Sequence, residues 1–149
     1  KPKICFYDHA ISFIGGGQKY GLTIAEELSK FCNVKLLGSK KFKISDLEKW
    51  YKLNLKNCES QIIQLPINNN EKTINPSLAP LQKTNPFSKI EDEVLKHDIF
   101  INVNMVPYIN PISLKSIFLC HFPDLQKGTN YFYVDRYKKK IANSKYTNK

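Results

Sequence analysis

The residues with the clearest chemical potential in this chain form a glycine segment from Gly15 to Gln18. The segment follows the apolar run from Ile4 to Tyr7 and precedes a helical pattern that starts near Lys19. Glycine allows a tight turn and a close approach of the main chain to a ligand, because it lacks Cβ. The free N–H groups and the dipole at the start of a helix attract phosphate or another anion. The segment therefore predicts a ligand site after the first strand, and a tight turn that binds no ligand is the alternative.

Polar residues also follow two later strands of the predicted sheet. His121 lies at the carboxyl end of the fifth strand, and Asn143 and Ser144 follow a short sixth strand. Open parallel sheets bind ligands beyond the carboxyl ends of their strands. A histidine there donates a hydrogen bond to a sugar hydroxyl or transfers a proton, and a purely structural role is the alternative. Asn143 and Ser144 either bind a hydroxyl or shape a turn.

The glycine segment departs from two well-known nucleotide-binding motifs. Tyr20 occupies the position of the third glycine of the dinucleotide fingerprint, and the second strand ends at Gly38 and Ser39 without an acidic residue for a ribose. NAD binding is therefore disfavoured. The sequence also lacks the Gly-x-x-x-x-Gly-Lys-Ser/Thr pattern of a P-loop.

Apolar runs alternate with amphipathic stretches along the chain, which is typical of a parallel α/β sheet. The predicted strands are Lys3 to Asp8, Asn33 to Leu37, Glu59 to Leu65, Asp98 to Val103, Ile117 to Phe122 and Lys140 to Ala142. Between the third strand and the next helix, Pro66 to Asn85 forms a long loop, which is either functional or an inert insertion.

Four helices are predicted between these strands. The first, Lys19 to Phe31, carries an apolar stripe on which Gly21 allows close packing against the sheet. Capping boxes at Ser45 and Ser88, each with a glutamate three residues later, start the second and third helices. The fourth helix runs from Tyr131 to Lys138.

Composition indicates one soluble globular domain of 149 residues, with 42% apolar and 24% charged residues. The sequence begins directly with a strand and shows no signal-peptide pattern, which predicts a protein inside the cell. Two of the four cysteines, Cys5 and Cys120, lie in apolar strands, which favours buried, reduced thiols. The net charge of +10 is concentrated between Lys35 and Lys56 and after Lys127. Such patches suit an acidic lipid surface, a phosphorylated substrate or nucleic acid, or are simply a solvated face.

The motifs taken together resemble one known family. The similar segments are Gly15-Gly16-Gly17-Gln18 before Ile24-Ala25-x-x-Leu28, His121-x-Pro123, and Ala142-Asn143-Ser144-x-x-Thr147. This order is similar to the N-terminal domain of GT-B glycosyltransferases of family 4, the group 1 transferases. The glycine segment resembles that of bacterial phosphatidylinositol mannosyltransferases. The resemblance covers nearly the whole chain.

The resemblance implies a fold and a role for each site residue. The fold is α/β, a Rossmann-like parallel sheet flanked by helices, which forms the N-terminal half of a GT-B fold as one domain over residues 1–149. Gly16 and Gly17 would lie near the donor diphosphate and the acceptor, and Gln18 would point toward the acceptor. His121 would be the catalytic residue beside the transferred sugar. Asn143 and Ser144 would form the rim of the cleft. Such enzymes transfer a sugar with retention of configuration, with no metal or other cofactor expected.

The chain departs from this family in its donor-binding half. The C-terminal domain of the family carries two glutamates eight positions apart, and no two glutamates of this chain have that separation. We therefore expect the C-terminal donor-binding domain to be absent from residues 1–149, and the chain alone to catalyse little. The implied partners are a nucleotide-sugar bound through that second domain and a sugar or lipid-linked acceptor, and the basic patches add an anionic membrane surface. The expected location is the cytoplasm, or a peripheral position at the inner face of a membrane.

Two other classes of function stay open from the sequence. The aromatic run from Tyr131 to Tyr133 lies close to basic residues and would stack on the bases of a nucleic acid, although no motif for reading RNA or DNA is present. A catalytically silent α/β domain that recruits a partner is the other alternative. The sequence favours the transferase domain over both, and no nucleic-acid partner is expected.

Overall fold

Strands and helices alternate along the chain in a computed structural model, which describes residues 1–65, 88–104 and 115–119. The elements are β1 (Lys3–Tyr7), α1 (Gly16–Ser29), β2 (Asn33–Gly38), α2 (Ile44–Tyr51), β3 (Cys58–Ile62), α3 (Ser88–Val94), β4 (Ile99–Asn102) and β5 (Ser116–Phe118). The predicted α/β class is confirmed. The long loop from Pro66 to Asn85, the fourth helix and the sixth strand lie outside the described residues.

The strands form one parallel sheet in the order β3-β2-β1-β4-β5. The central strand β1 pairs with β2 on one side and β4 on the other, so that Tyr7 is level with both Leu37 and Asn102. The chain thus leaves β1 toward β2 and β3 and later returns to the opposite side of β1 as β4. This reversal of direction between β1 and β4 is the place where open α/β sheets form a ligand crevice.

Helices cover both faces of the sheet. On the first face, which we call the α1 face, Leu22 and Ala25 of α1 and Leu47 of α2 pack on Ile4 and Phe6 of β1. On the second face, the α3 face, side chains from three strands pack on Ile90 and Val94 of α3: Cys5, Tyr7, Leu37 and Phe100. Alternate residues of β1, β2 and β4 therefore enter different cores, which explains the nearly continuous apolar runs of these strands.

Helix α1 begins at Gly16, three residues before the predicted start at Lys19. The low helix propensity of glycine is only a weak preference, which packing of the helix on the sheet overrides. The predicted role of Gly21 in close packing is confirmed, because a Cβ at Gly21 would lie 2.6 Å from Cγ1 of Val103. Phe31 was expected on the apolar stripe, but it follows the end of the helix and is 71% exposed.

Other predicted boundaries are also wrong, among them the end of the fifth strand, which is Phe118 in β5 rather than Phe122. Helix α2 starts at Ile44 with Lys43 as its N-cap, so Ser45 is not the capping residue. The Glu48 carboxylate instead accepts a hydrogen bond from the Leu55 amide at 2.8 Å, beyond the other end of the helix. Strand β3 ends at Ile62 rather than at the predicted Leu65, because its only described partner, β2, ends at Gly38 opposite Ile62.

An ion-pair group lies at the edge of the α3 face, near the amino ends of the strands. Glu93 of α3 is 5% exposed and pairs with Lys35 of β2 at 3.0 Å and with Lys96 at 2.6 Å. Burial by itself raises the pKa of Glu93, but hydrogen bonds from Lys96 and Lys35 and the charges of both lysines lower it overall. The group links α3 to the sheet.

The cysteines of the described chain are free thiols. Cys5 is fully buried in β1, and burial raises the pKa of its thiol. The prediction of a buried, reduced thiol at Cys5 is confirmed, and Cys120 lies outside the described residues.

Candidate functional site

The carboxyl edge of the sheet brings together the segments that follow β1, β2 and β4. The residues after β1 lead through Asp8 and His9 to the glycine segment at the start of α1. Ser39 follows β2, and Asn104 follows β4. These three segments surround the reversal point between β1 and β4, so they form the candidate site.

Gly16 and Gly17 form the first turn of α1, and Gly15 is its N-cap. Gly15 has an extended conformation, with φ of −162° and ψ of 164°, and its carbonyl accepts the first helical hydrogen bond from the Lys19 amide at 3.1 Å. The main-chain N–H groups of this turn have no partner within the helix. A Cβ placed on Gly16 would meet no atom of the described residues within 4 Å, so this part of the chain leaves open space beside Gly16. The glycines thus expose helical backbone and do not form a left-handed turn.

Gln18 lies half-buried beneath the glycine segment. A Cβ at Gly15 would lie 2.5 Å from Oε1 of Gln18, so the carboxamide folds back toward the N-cap. Gln18 also lines a cavity of about 10 Å³ together with Asp8, Gly21 and Val103. This volume is about that of one water probe. Gln18 is therefore placed between the helix start and the end of β1.

Tyr51 of α2 fixes the chain on both sides of Ile14. Its hydroxyl accepts a hydrogen bond from the Gly15 amide at 2.9 Å and donates one to the Phe13 carbonyl at 3.1 Å. Tyr51 is 6% exposed, so both bonds are anchored in the core of the α1 face. The sequence does not link Tyr51 to the glycine segment, since its partners are 36 and 38 residues away.

A buried network of polar side chains connects β4 to β1. The side-chain amide of Asn104 donates to Oδ1 of Asn102 at 2.8 Å and to the Tyr7 carbonyl at 3.2 Å, while its Oδ1 accepts from the His9 amide at 2.6 Å. Asn102 is fully buried, and its Nδ2 has no hydrogen-bond partner within the described part of the chain. The reversal point thus contains one buried amide donor available to a further polar group.

The end of β2 is tied to β1 by a second polar contact. Oγ of Ser39 lies 2.7 Å from the Tyr7 hydroxyl, and both residues are buried. One signal in the sequence points to these residues, namely that Ser39, Asn102 and Asn104 are polar residues at strand ends. Their partners are set by the strand order and were not predicted.

His9 is half-buried at the carboxyl end of β1. Burial, and secondly the charge of Lys40, lower its pKa below the ordinary value of 6.5. Its ring Nδ1 lies 3.5 Å from the Tyr7 hydroxyl. His9 is therefore neutral at physiological pH and adds an imidazole, rather than a positive charge, to the site.

Of the residues that the sequence assigned to the site, the structure describes Gly16, Gly17 and Gln18, and they lie together at the start of α1. The other three, His121, Asn143 and Ser144, lie outside the described residues. Within the described ranges, no group of three or more histidine, cysteine, aspartate or glutamate side chains is placed to hold a metal ion. None of the helices described is long and apolar enough to cross a membrane.

Comparison with known proteins gives no match to a family model, to a curated protein or to a solved structure. The functional interpretation therefore rests on the residues and the geometry of the site.

Proposed function

We propose that this chain is the acceptor-side domain of a retaining glycosyltransferase that transfers a sugar from a nucleotide-sugar to a lipid-linked or glycan acceptor. The donor would be held mainly by a second domain that faces the carboxyl edge of the sheet. The proposal includes no metal or other cofactor. It rests on the similarity of the motifs to group 1 transferases and on the surroundings of the glycine segment.

The observation that carries the proposal is the position of Gly16. It is the first residue of α1 and lies at the carboxyl edge beside the reversal point, and the described part of the chain leaves open space where its Cβ would be. A diphosphate or a sugar can approach the main chain there and accept hydrogen bonds from the first turn of the helix. The neutral imidazole of His9, at the carboxyl end of β1, suits a hydroxyl group of a sugar.

The remaining roles are those that the resemblance of the motifs implies. Gly16 and Gly17 would contact the donor diphosphate and the acceptor through their main chain, and Gln18 would support the acceptor side. His121 would lie beside the transferred sugar, and Asn143 and Ser144 would line the rim. We further propose a cytoplasmic location with access to the inner face of a membrane.

The test uses the protein translated from the entire reading frame that contains this chain. Transfer of labelled sugar is measured with UDP-glucose, UDP-N-acetylglucosamine and GDP-mannose as donors and a membrane lipid extract as acceptor. We expect transfer from one donor class. Gly16→Ala should lower it about 10- to 100-fold, because the added methyl group displaces the ligand from the main chain.

The matched control is Thr23→Ala, on the exposed face of the same helix, which should leave transfer unchanged. Gly16→Ala should not lower the melting temperature, since its Cβ meets open space. Residues 1–149 assayed alone are expected to transfer little. Absence of transfer with every donor, or full activity of Gly16→Ala, would contradict the proposal.

A further inference from the structure

Three large apolar side chains are exposed around the glycine segment. Phe13 is 57% exposed, Ile14 is 68% exposed and Tyr20 is 56% exposed. Phe13 and Ile14 directly precede the N-cap of α1, and Tyr20 lies one turn after Gly16 on the exposed side of the helix. Single exposed apolar residues are common, but a group of three beside a candidate site is a feature of interaction surfaces.

Hydrogen bonds to a buried side chain anchor this apolar loop. The Tyr51 hydroxyl bonds the Phe13 carbonyl and the Gly15 amide, one on each side of Ile14. The Phe13 amide also donates to the Ala10 carbonyl at 2.8 Å. The hydrogen bonds of its two neighbours to a buried side chain therefore hold Ile14 outward. The loop then loses less conformational entropy when a partner binds.

Lysines are close in the sequence to this loop and to the segment after β2 that contacts it, and no acidic residue lies among them. Residues 9–25 and 38–45 contain four lysines and neither aspartate nor glutamate: Lys19, Lys40, Lys41 and Lys43. The four are exposed. The Lys40 ammonium lies 4.9 Å from the centroid of the Phe13 ring, so the segment after β2 is adjacent to the apolar loop. We call the surface formed by Phe13, Ile14, Tyr20 and these four lysines the loop face.

We propose that the loop face docks on the surface of an anionic lipid bilayer, with Phe13 and Ile14 inserted among the headgroups and the lysines against the lipid phosphates. Exposed apolar side chains flanked by lysines have the chemistry of an interfacial anchor. Ile14, the most exposed of the three, has no aromatic ring to stack on a nucleic-acid base, which favours lipid over nucleic acid.

Docking in this orientation places the glycine segment at the membrane surface. Gly16 lies between Ile14 and Tyr20 in the chain, so a bilayer that takes up these side chains presents its headgroups beside the first turn of α1. This inference rests on the proposed function, because the purpose of docking would be to give the site access to a lipid-linked acceptor. Its test needs no sugar transfer, so docking and transfer can fail independently.

The test measures co-sedimentation of the full chain with vesicles of phosphatidylcholine containing phosphatidylglycerol, and with vesicles of phosphatidylcholine alone. We expect binding to the anionic vesicles that weakens as salt is added. The pair Phe13→Ser and Ile14→Ser should weaken binding about tenfold or more. The pair Lys40→Gln and Lys41→Gln should weaken it about fivefold per lysine.

The matched controls lie at the opposite edge of the sheet. Phe31→Ser removes another exposed aromatic side chain, and Lys30→Gln with Lys56→Gln removes two other exposed lysines. These variants should bind anionic vesicles like the wild type, and thermal unfolding should show that all variants are folded. The proposal would be overturned if the wild type did not bind anionic vesicles or if the loop-face variants bound them as well as the wild type. It would also be overturned if the control variants lost as much vesicle binding as the loop-face variants. Self-association that the Phe13 and Ile14 variants abolish, without vesicle binding, would assign the surface to a second copy of the chain instead.

Discussion

Two glycines of α1 have opposite surroundings, although they lie five residues apart in one helix. Gly16 faces open space, where a ligand can approach its main chain. Gly21 faces the side chain of Val103, which is buried after β4. The first glycine therefore belongs to the site and the second to the packing of the helix on the sheet, and substitution distinguishes them.

Gly21→Ala is expected to destabilise the fold by about 1 to 2 kcal/mol. The new Cβ would lie 2.6 Å from Cγ1 of Val103, and such overpacking costs about 1 to 3 kcal/mol. Alanine recovers up to about 1 kcal/mol through its higher helix propensity. Urea unfolding gives the free energies, with Gly16→Ala as the control, which should be neutral or slightly stabilising. Unchanged stability of Gly21→Ala would contradict the close packing of α1 on β4.

His9 should make stability depend on pH. Its pKa in the folded state is below the ordinary value of 6.5. As pH falls through that value, the unfolded state takes up a proton that the folded state resists, so the free energy of unfolding falls. Chemical unfolding of the wild type and of His9→Gln is compared between neutral pH and about pH 5.5. The loss of stability should be smaller in the variant, and identical losses would show that His9 is not shielded from protonation.

At the scale of elements, α1 and α3 are attached to the sheet by different kinds of contact. Helix α1 packs through small and apolar residues on one face, whereas α3 combines the apolar residues Ile90 and Val94 with the buried carboxylate of Glu93. This carboxylate pairs with Lys35 of β2, so the attachment of α3 depends on a charge as well as on apolar contact.

Glu93→Gln is expected to destabilise the protein by about 2 to 3 kcal/mol at neutral pH. The substitution leaves the partly buried Lys35 ammonium without its closest anionic partner, and breaking such pairs is costly. Glu27→Gln is the matched control, because Glu27 and Lys30 form an exposed pair that contributes about 0 to 1 kcal/mol. Chemical unfolding of both variants gives the difference. If both variants lost a similarly small amount of stability, the ion pairs of Glu93 would be no stronger than a surface pair.

At the scale of the whole molecule, the central strand β1 joins both cores. Ile4 and Phe6 enter the α1 face, and Cys5 and Tyr7 enter the α3 face. Cys5 is fully buried there, so a reagent reaches its thiol only when β1 is exposed.

In a Cys120→Ser background, Cys32 should react with a thiol reagent much faster than Cys5. Cys32 is half-buried after α1, whereas burial both shields the Cys5 thiol and raises its pKa. The rate at Cys5 should rise with denaturant in step with global unfolding, as followed by mass spectrometry of labelled peptides. Rapid labelling of Cys5 in the native protein would contradict the central position of β1.

The fold was predictable because the pattern that specifies it is local. Apolar runs between amphipathic stretches predicted every strand that the structure describes, with errors at the ends. The ends depend on pairing and packing: β3 stops where its partner β2 stops, and α1 continues through two glycines because the helix is supported by the sheet. Of the six residues predicted for the site, the structure describes Gly16, Gly17 and Gln18, whose positions follow from one strand and the helix after it.

By itself the sequence determined an α/β class, the position of the glycine segment after the first strand and the separation of lysines from acidic residues. These properties are set by neighbours in the chain. Only the tertiary structure decided the order β3-β2-β1-β4-β5 and the side chains that meet at the carboxyl edge. Tyr7 meets Ser39 across 32 residues and His9 meets Asn104 across 95, and contacts over such separations depend on which strands become neighbours.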